Sequence, residues 1–267
     1  MSDIWTGSAI PVAEACVTGP LLERYARETP NKIFALFEDG SSWTYAETLA
    51  IVQKMAGGLR SLGVAQGDYV NVWLPNGRET VAVWLAINWL GAIYVPINLA
   101  YRGNILEHVV ANGRARLMIA QSDLAERLRT IDHACLTDVV TLGDAPEAMG
   151  DIHFHPWESL DGPNVAVPAK VMPWDVQMVI YTSGTTGPSK GVLVTYCHSY
   201  TSVSAAFGYI GPDDRYLVAL PLFHISGTGG VLLALYNGAS FALISQFSTS
   251  NFWRVVRETR ATCLVLL

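Results

Sequence analysis

The sequence predicts an α/β fold built from mostly parallel sheets that are covered by helices. Short apolar runs alternate along the chain with longer segments in which apolar residues recur every three or four positions. Some of the short runs, such as residues 93–97, are apolar throughout, as is typical of strands buried on both faces of a parallel sheet. Strands that alternate with helices favour parallel pairing, because each helix carries the chain back across the sheet.

The first half of the chain begins with a predicted hairpin and continues as strand–helix units. Asp39-Gly40 is a dipeptide typical of hairpin turns, and strand-like runs flank it. A helix begins after Thr44 and ends near Gly63, its expected C-cap. Its apolar residues recur on one face at Leu49, Val52, Ala56 and Leu59. The predicted strands are 33–38, 42–45, 69–74, 93–97, 117–120 and 138–142, and the other predicted helices are 79–90, 103–112 and 122–131.

The second half resumes this alternation after an irregular stretch. Residues 143–175 hold five prolines, so we expect a boundary there between a first α/β subdomain, 1–170, and a second, 171–267. The predicted strands beyond it are 176–181, 216–220, 241–245 and 261–267, and the predicted helices are 197–208, 227–236 and 249–259.

Composition excludes several classes of protein. The 267 residues carry 17 Lys and Arg against 23 Asp and Glu, a net charge of −6, and lack a basic run, which argues against nucleic-acid binding. The four cysteines are scattered, as is typical of a reduced, cytoplasmic protein. We expect no signal peptide in residues 1–15 and no membrane span, because Gly91 and Pro96 interrupt the apolar segment 81–97.

The most informative stretch is residues 181–192, Tyr-Thr-Ser-Gly-Thr-Thr-Gly-Pro-Ser-Lys-Gly-Val, which follows a predicted strand. Its glycines allow close backbone approach to a ligand, and its hydroxyls and single lysine suit phosphate oxygens. The common P-loop is excluded, because Lys190 comes three residues after Gly187 and is followed by Gly191. The dinucleotide fingerprint Gly-x-Gly-x-x-Gly is also absent.

The order of these residues resembles the phosphate-binding signature of the AMP-forming, adenylate-forming enzymes, which include acyl-CoA synthetases, peptide-synthetase adenylation domains and firefly luciferase. The resemblance implies the N-terminal large domain of the acyl-CoA synthetase type. It implies that ATP, Mg²⁺ and coenzyme A take part, that Mg²⁺ arrives with the nucleotide, and that the protein itself supplies no metal ligand from this part of the chain. It implies that the β- and γ-phosphates of ATP are held by Thr182, Ser183, Gly184, Thr185, Thr186, Gly187 and Lys190.

A second landmark is the segment 220–227, Leu-Pro-Leu-Phe-His-Ile-Ser-Gly, which follows a predicted strand. Ligands of parallel sheets sit at the carboxyl ends of strands, so His224 is placed where a site is expected. By resemblance, His224 matches the aromatic residue that borders the substrate carboxylate and the thiol channel, and it is our candidate catalytic residue. Amino-acid adenylation domains carry an aspartate where this chain has His224. This chain has no aspartate there, and residues 222–236 contain no Lys or Arg that could pair with a second carboxylate. Both observations favour an apolar monocarboxylic acid.

Three further features have competing interpretations. Gly91 to Asn98 resembles a family segment, Gly-Ala-x-x-x-Pro-Ile-Asn, and is interpreted as core. The glycines 227, 229 and 230 indicate either room for an acyl group or close helix packing. His153 and His155 would share one side of a strand, but no Cys or carboxylate cluster joins them, so a surface pair is favoured over a metal site.

The resemblance covers the chain but only the front part of the family's pattern, since the later motifs and the catalytic lysine of the C-terminal domain are absent. We therefore expect a truncated piece of an acyl-CoA synthetase, inactive alone. Two alternatives stay open: a fatty-acyl-AMP ligase that feeds a carrier protein, and a non-catalytic nucleotide-binding relic. The identity of the acid and the oligomeric state do not follow from the sequence.

Overall fold

The computed structural model describes residues 10–133, 135–165, 171–182 and 188–265. Within these ranges, nine α-helices cover two β-sheets. The helices are α1 (Ala13–Cys16), α2 (Thr18–Glu28), α3 (Tyr45–Ser61), α4 (Arg78–Trp89), α5 (Gly103–Gly113), α6 (Ser122–Ala125), α7 (Tyr196–Ala206), α8 (Ile225–Tyr236) and α9 (Phe252–Thr259). The strands are β1 (Ile33–Phe37), β2 (Ser42–Thr44), β3 (Tyr69–Trp73), β4 (Ile93–Pro96), β5 (Leu117–Gln121), β6 (Asp138–Leu142), β7 (His153–Pro156), β8 (Val176–Thr182), β9 (Lys190–Thr195), β10 (Arg215–Val218), β11 (Ser240–Leu243) and β12 (Cys263–Leu264).

Both sheets are mostly parallel, which confirms the predicted fold class. The larger sheet has seven strands in the order β7-β6-β5-β3-β4-β8-β9, and only β8 and β9 pair antiparallel. The smaller sheet has five strands in the order β12-β10-β11-β1-β2, and only β1 and β2 pair antiparallel. Each sheet therefore ends, on one side, in a hairpin.

Each sheet takes strands from both sides of residue 170. The hairpin β8–β9 completes the larger sheet, and the hairpin β1–β2 completes the smaller one. The boundary predicted from the proline-rich stretch therefore does not coincide with the division between the sheets, and the two subdomains stay a prediction.

Three local predictions were wrong in detail. Strand β9 was absent from the prediction, because its first residues were assigned to the loop. Gly191 faces Tyr181 across the hairpin, and a Cβ there would lie 2.8 Å from Val179 Cγ1, so the glycine serves close strand packing. Strand β7 lies inside the irregular stretch 143–175. The helix predicted over 122–131 is a single α-helical turn, α6, followed by a 3₁₀-helix at Glu126–Thr130.

Helix α3 shows how local chemistry sets the element boundaries. The Thr44 hydroxyl accepts the Glu47 backbone N–H at 3.2 Å, and the Glu47 carboxylate accepts the Thr44 N–H at 2.8 Å. This capping box satisfies two of the amide donors that a helix start leaves unpaired. At the other end, Gly63 takes a positive φ of 84°, a conformation that favours glycine and stops the helix.

One apolar core joins the facing sides of the two sheets, and α4 lies within it. Residues 80–89 of α4 are buried all round, and the rings of Trp84 and Tyr94 stack with centroids 5.4 Å apart. The apolar segment 81–97 is thus a buried helix followed by a buried strand, as predicted. Across the described ranges, every helix is too short or too polar to cross a membrane.

Candidate functional site

The predicted phosphate loop is the connection of the β8–β9 hairpin. Thr182 is the last residue of β8, and Lys190, the first residue of β9, lies opposite it in register. Both residues are exposed at the carboxyl end of β8, the edge at which parallel sheets bind ligands. The other five predicted phosphate ligands, Ser183, Gly184, Thr185, Thr186 and Gly187, lie outside the described residues.

The base of this hairpin is held by side chains from two other segments. The Ser189 hydroxyl donates to the Thr182 carbonyl oxygen at 2.7 Å. His108 of α5 donates from Nε2 to the Ser189 carbonyl oxygen at 2.8 Å, and because a carbonyl only accepts, Nε2 carries the proton. Tyr101 lies 3.5 Å from Ser189, oxygen to oxygen. The residue before Lys190 is therefore fixed from three directions.

His224 is the N-cap of α8. Its Nδ1 accepts the Ser226 backbone N–H at 3.2 Å, so the ring nitrogen free to meet a ligand is Nε2. The backbone around it is closely folded, since the Pro221 carbonyl oxygen accepts the His224 N–H at 3.0 Å. His224 is exposed.

Thr182 and His224 come together across a cleft of about 190 Å³. The cleft lies where the carboxyl ends of β4 and β8 face the loop that follows β10 in the other sheet. Its lining residues are Pro96, Asn98, Tyr101, Ile180, Tyr181, Thr182, Phe223, His224 and Ile225. Lys190 is not among them.

Asn98 and Tyr101 were missed as site residues. The segment 91–98 was interpreted as core, and residues 91–97 are indeed buried, but Asn98 follows the end of β4 and reaches the cleft. The signal that could have found it is the rule that ligands meet the carboxyl ends of parallel strands. Tyr101 carries no such signal. The loop that bears both is held by Trp73, whose Nε1 donates to the Asn98 carbonyl at 3.2 Å, and by Arg127, which donates to the Leu99 carbonyl at 2.7 Å.

The cleft is lined by apolar and neutral polar side chains and by the His224 ring. Among its described lining residues there is no Asp, Glu, Lys or Arg. Burial raises the pKa of Tyr181, against a lowering by the hydrogen bond from Asn112 at 3.0 Å, so the phenol stays neutral at physiological pH. A ligand group in this cleft therefore meets hydroxyls, an amide and rings.

The three glycines of α8 were expected to serve either close helix packing or room for an acyl group, and the structure separates them. A Cβ at Gly227 would lie 2.2 Å from the Pro221 carbonyl oxygen, and one at Gly230 would lie 2.6 Å from the Tyr216 ring. Close packing therefore explains both. A Cβ at Gly229 would meet only Val203 at 3.9 Å, an ordinary contact, so packing does not require that glycine.

Other groups outside the cleft have structural partners. His155 Nε2 lies 2.8 Å from an Asp138 carboxylate oxygen, whose other oxygen pairs with Arg116 at 2.7 Å. No cluster of three metal-binding side chains occurs in the ranges that the structure covers. A larger cavity, about 340 Å³, lies at the carboxyl ends of β1 and β11 beside α9, and none of the described site residues Thr182, Lys190 and His224 lines it.

Comparison with known proteins matches the chain to one family and to curated CoA ligases. The family of AMP-binding enzymes matches residues 22–267. The 4-coumarate–CoA ligase 2 of Solanum tuberosum is 32% identical over 230 residues, which are 82% of this chain and 41% of that ligase. The chain therefore spans less than half the length of this relative.

Two solved structures share the fold. The anthranilate CoA ligase AuaEII in complex with anthranoyl-AMP superposes with a TM-score of 0.84 at 24% identity, over 97% of this chain and 51% of that one. VinN in complex with 3-methylaspartate superposes with a TM-score of 0.73 at 26% identity, over 93% and 65%. The family match and the shared fold confirm the predicted resemblance. The chain belongs to the family of AMP-binding enzymes.

Proposed function

We propose that this chain provides the ATP- and carboxylate-binding part of an AMP-forming carboxylate–CoA ligase. In the first step, a carboxylate oxygen attacks the α-phosphorus of ATP, the bond to the bridging oxygen breaks, and pyrophosphate leaves. In the second step, the sulfur of coenzyme A attacks the acyl carbon and AMP leaves. The observation that carries the proposal is the cleft that joins the end of the phosphate-loop strand, at Thr182, to His224.

The first step brings two anions together, so positioning and charge neutralisation dominate its catalysis. We assign Thr182, Lys190 and the intervening loop residues Ser183, Gly184, Thr185, Thr186 and Gly187 to the β- and γ-phosphates. Mg²⁺ binds phosphate oxygens and enters with the nucleotide. The exposed position of Lys190, opposite Thr182 at the base of the loop, supports its role as a cation for the phosphates.

His224 is assigned to the carboxylate and to the path of the thiol. With Nδ1 engaged by the helix backbone, Nε2–H is the group available to donate to a carboxylate oxygen. A donor in this place would hold the acid in line for attack, which is a positioning effect rather than proton transfer.

The absence of charged residues from the described lining supports an uncharged substrate side chain. A substrate ammonium group would need a buried carboxylate, and a second substrate carboxylate would need a Lys or Arg, but the described lining has neither. An acyl or aryl monocarboxylic acid is therefore favoured. The relatives are associated with different acids by name or by bound ligand: the potato ligase is named for 4-coumarate, AuaEII for anthranilate, and VinN was solved with the amino acid 3-methylaspartate. Because VinN binds an amino acid, the substrate panel must include 3-methylaspartate.

The decisive experiment is carboxylate-dependent ATP–pyrophosphate exchange with Mg²⁺. The panel contains 4-coumarate, anthranilate, a medium-chain fatty acid and 3-methylaspartate. We expect exchange with an acid whose aryl or alkyl group is uncharged, and none with 3-methylaspartate. Exchange with 3-methylaspartate alone would overturn the substrate class and leave adenylation intact.

The assay is run on this chain and on any longer protein that contains it. We propose that this chain alone binds ATP but does not adenylate, since it matches 41% of the potato ligase. Acyl-AMP made by this chain would refute that part. Absence of ATP binding by calorimetry would refute the assignment of the loop, whereas ATP binding without adenylation by the longer protein would favour a non-catalytic nucleotide-binding relic. Acyl transfer to a carrier protein but not to coenzyme A would replace the ligase by a fatty-acyl-AMP ligase.

A further inference from the structure

We propose that Asn76 is a positioning residue for the cleft: its side-chain amide holds the segment that carries His224 against the strand ends of the other sheet. Asn76 lies in the turn between β3 and α4, on the side of the larger sheet. The segment, residues 220–228, follows β10 of the smaller sheet. The role in catalysis rests on the proposed function, whereas the structural role does not.

Three hydrogen bonds join the amide to the other sheet. Asn76 Nδ2 donates to the carbonyl oxygens of Leu220 and Ile244, each at 3.2 Å, and Oδ1 accepts the Leu222 N–H at 2.8 Å. Leu220 and Leu222 follow β10, and Ile244 follows β11. One side chain therefore ties the ends of two neighbouring strands to the turn after β3. The orientation of the amide is set by its partners, because the flipped form would place its oxygen against two carbonyl oxygens.

The segment beyond Leu222 is rigid enough to transmit this constraint. The Pro221 carbonyl accepts the His224 N–H at 3.0 Å, and the His224 carbonyl accepts the N–H groups of Gly227 at 3.0 Å and Thr228 at 3.2 Å. The backbone of the segment and the first turn of α8 are thus one hydrogen-bonded unit. Fixing Leu220 and Leu222 fixes the place of His224 two residues later.

The turn that carries Asn76 is equally well held. The Thr80 hydroxyl donates to the Pro75 carbonyl, and the Val81 N–H donates to the Gly77 carbonyl at 3.3 Å, so the first turn of α4 closes over it. Asn76 itself is half-buried. Because both ends of the link are stiff, the amide sets the separation between the His224 segment and the ends of β4 and β8.

The test uses Asn76→Ala and Asn76→Asp, with Asn104→Ala, an exposed asparagine on α5, as the matched control. Residue-resolved amide hydrogen exchange reports the Leu222 N–H directly, and the ring signals of His224, assigned with His224→Gln, report its surroundings. We expect Asn76→Ala to speed exchange at Leu222 at least about tenfold and to shift the His224 ring signals, while amides of β3 and α4 keep their protection. Asn104→Ala leaves both readouts unchanged.

Asn76→Asp separates the two halves of the link. It keeps an acceptor for the Leu222 N–H but turns an oxygen toward the carbonyls of Leu220 and Ile244. We expect Leu222 to exchange more slowly than in Asn76→Ala, while the His224 signals still shift. In an active protein that contains the chain, both variants should lower the rate of carboxylate-dependent ATP–pyrophosphate exchange by about 10- to 100-fold. The affinity for ATP should change less.

Unmoved His224 signals in both Asn76 variants would overturn the proposal. So would an equal rise in exchange throughout both sheets, because that outcome describes a general loss of stability. None of these structural readouts needs a nucleotide or an acid. Failure of carboxylate-dependent ATP–pyrophosphate exchange in the unaltered protein would therefore overturn the proposed function but not the structural role of Asn76.

Discussion

Helix α8 offers a matched pair of substitutions two residues apart. Gly227→Ala places a Cβ 2.2 Å from the Pro221 carbonyl oxygen and 2.6 Å from the Pro221 carbonyl carbon. Gly229→Ala places a Cβ at an ordinary 3.9 Å from Val203. Both changes replace glycine by alanine in one helix, so their difference isolates the packing of Gly227 against the backbone before His224.

The magnitudes follow from these distances. Carbon–oxygen contacts between backbones close to about 3.3 Å, so the Pro221 carbonyl has to retreat by about 1 Å from the new methyl group. Such overpacking costs about 1–3 kcal/mol. Gly229→Ala should instead stabilise the helix by about 0.5–1 kcal/mol, because alanine loses less backbone entropy. For a chain of this length, a change of 1 kcal/mol in the free energy of unfolding moves the melting temperature by roughly 2–4 °C.

Thermal unfolding and ATP–pyrophosphate exchange together test the pair. Since the Pro221 carbonyl holds the His224 N–H, a 1 Å shift displaces His224, and we expect exchange in an active protein to fall by about a hundredfold in Gly227→Ala. Gly229→Ala should raise the melting temperature slightly and leave the exchange rate with the best acid unchanged. Equal melting temperatures for the two variants, or a larger loss in Gly229→Ala, would refute the reasoning.

Three further predictions concern other parts of the molecule. His108→Ala should weaken ATP binding several-fold in calorimetry and His108→Gln should restore most of it, because the lost Nε2–H bond holds the base of the phosphate loop; equal affinity in both variants and the unaltered chain would contradict this. Thr44→Ala should lower the free energy of unfolding by about 1 kcal/mol through loss of the capping box with Glu47, and an unchanged denaturation midpoint would exclude it. The pKa of Glu38 lies below its ordinary value because the Ser245 hydroxyl and then its backbone N–H donate to the carboxylate. The stability that Glu38 contributes is therefore present above about pH 4.3, the pKa of an unfolded glutamate, and is lost as the pH falls through the lower folded pKa. Acid titrations of stability should be shallower below pH ~4.3 in Glu38→Gln, and superimposable curves would disprove the link.

Sequence reasoning succeeded where local chemistry decides. The helix start after Thr44, the Gly63 stop and the buried run 81–97 depend on neighbours in the chain, and the structure has each of them as predicted. The strands β8, which ends at Thr182, and β10, which precedes His224, could be located because a simple apolar pattern reveals them.

The rest depends on which strands become neighbours. Asn98 is separated from His224 by more than a hundred residues, and only the order of strands in the two sheets brings both to one cleft. Strand β9 was missed because its glycine and lysine are typical of loops, although Gly191 is required by tight pairing with Tyr181. The three hydrogen bonds of Asn76 have no sequence signal at all, since their partners are backbone atoms of a distant segment.

The exchange of hairpins between the two sheets also constrains how the chain acquires its fold. Ala35 pairs with Phe241 and Tyr94 with Met178, so neither sheet can be completed from one continuous half of the sequence. During synthesis, the first hairpin must wait for β11 before its inner edge is covered. Pairings of such long sequence separation slow folding and leave strand edges open in the meantime. Once formed, they also bind the halves together, so a chain cut within residues 161–165 should stay associated until both sheets unfold.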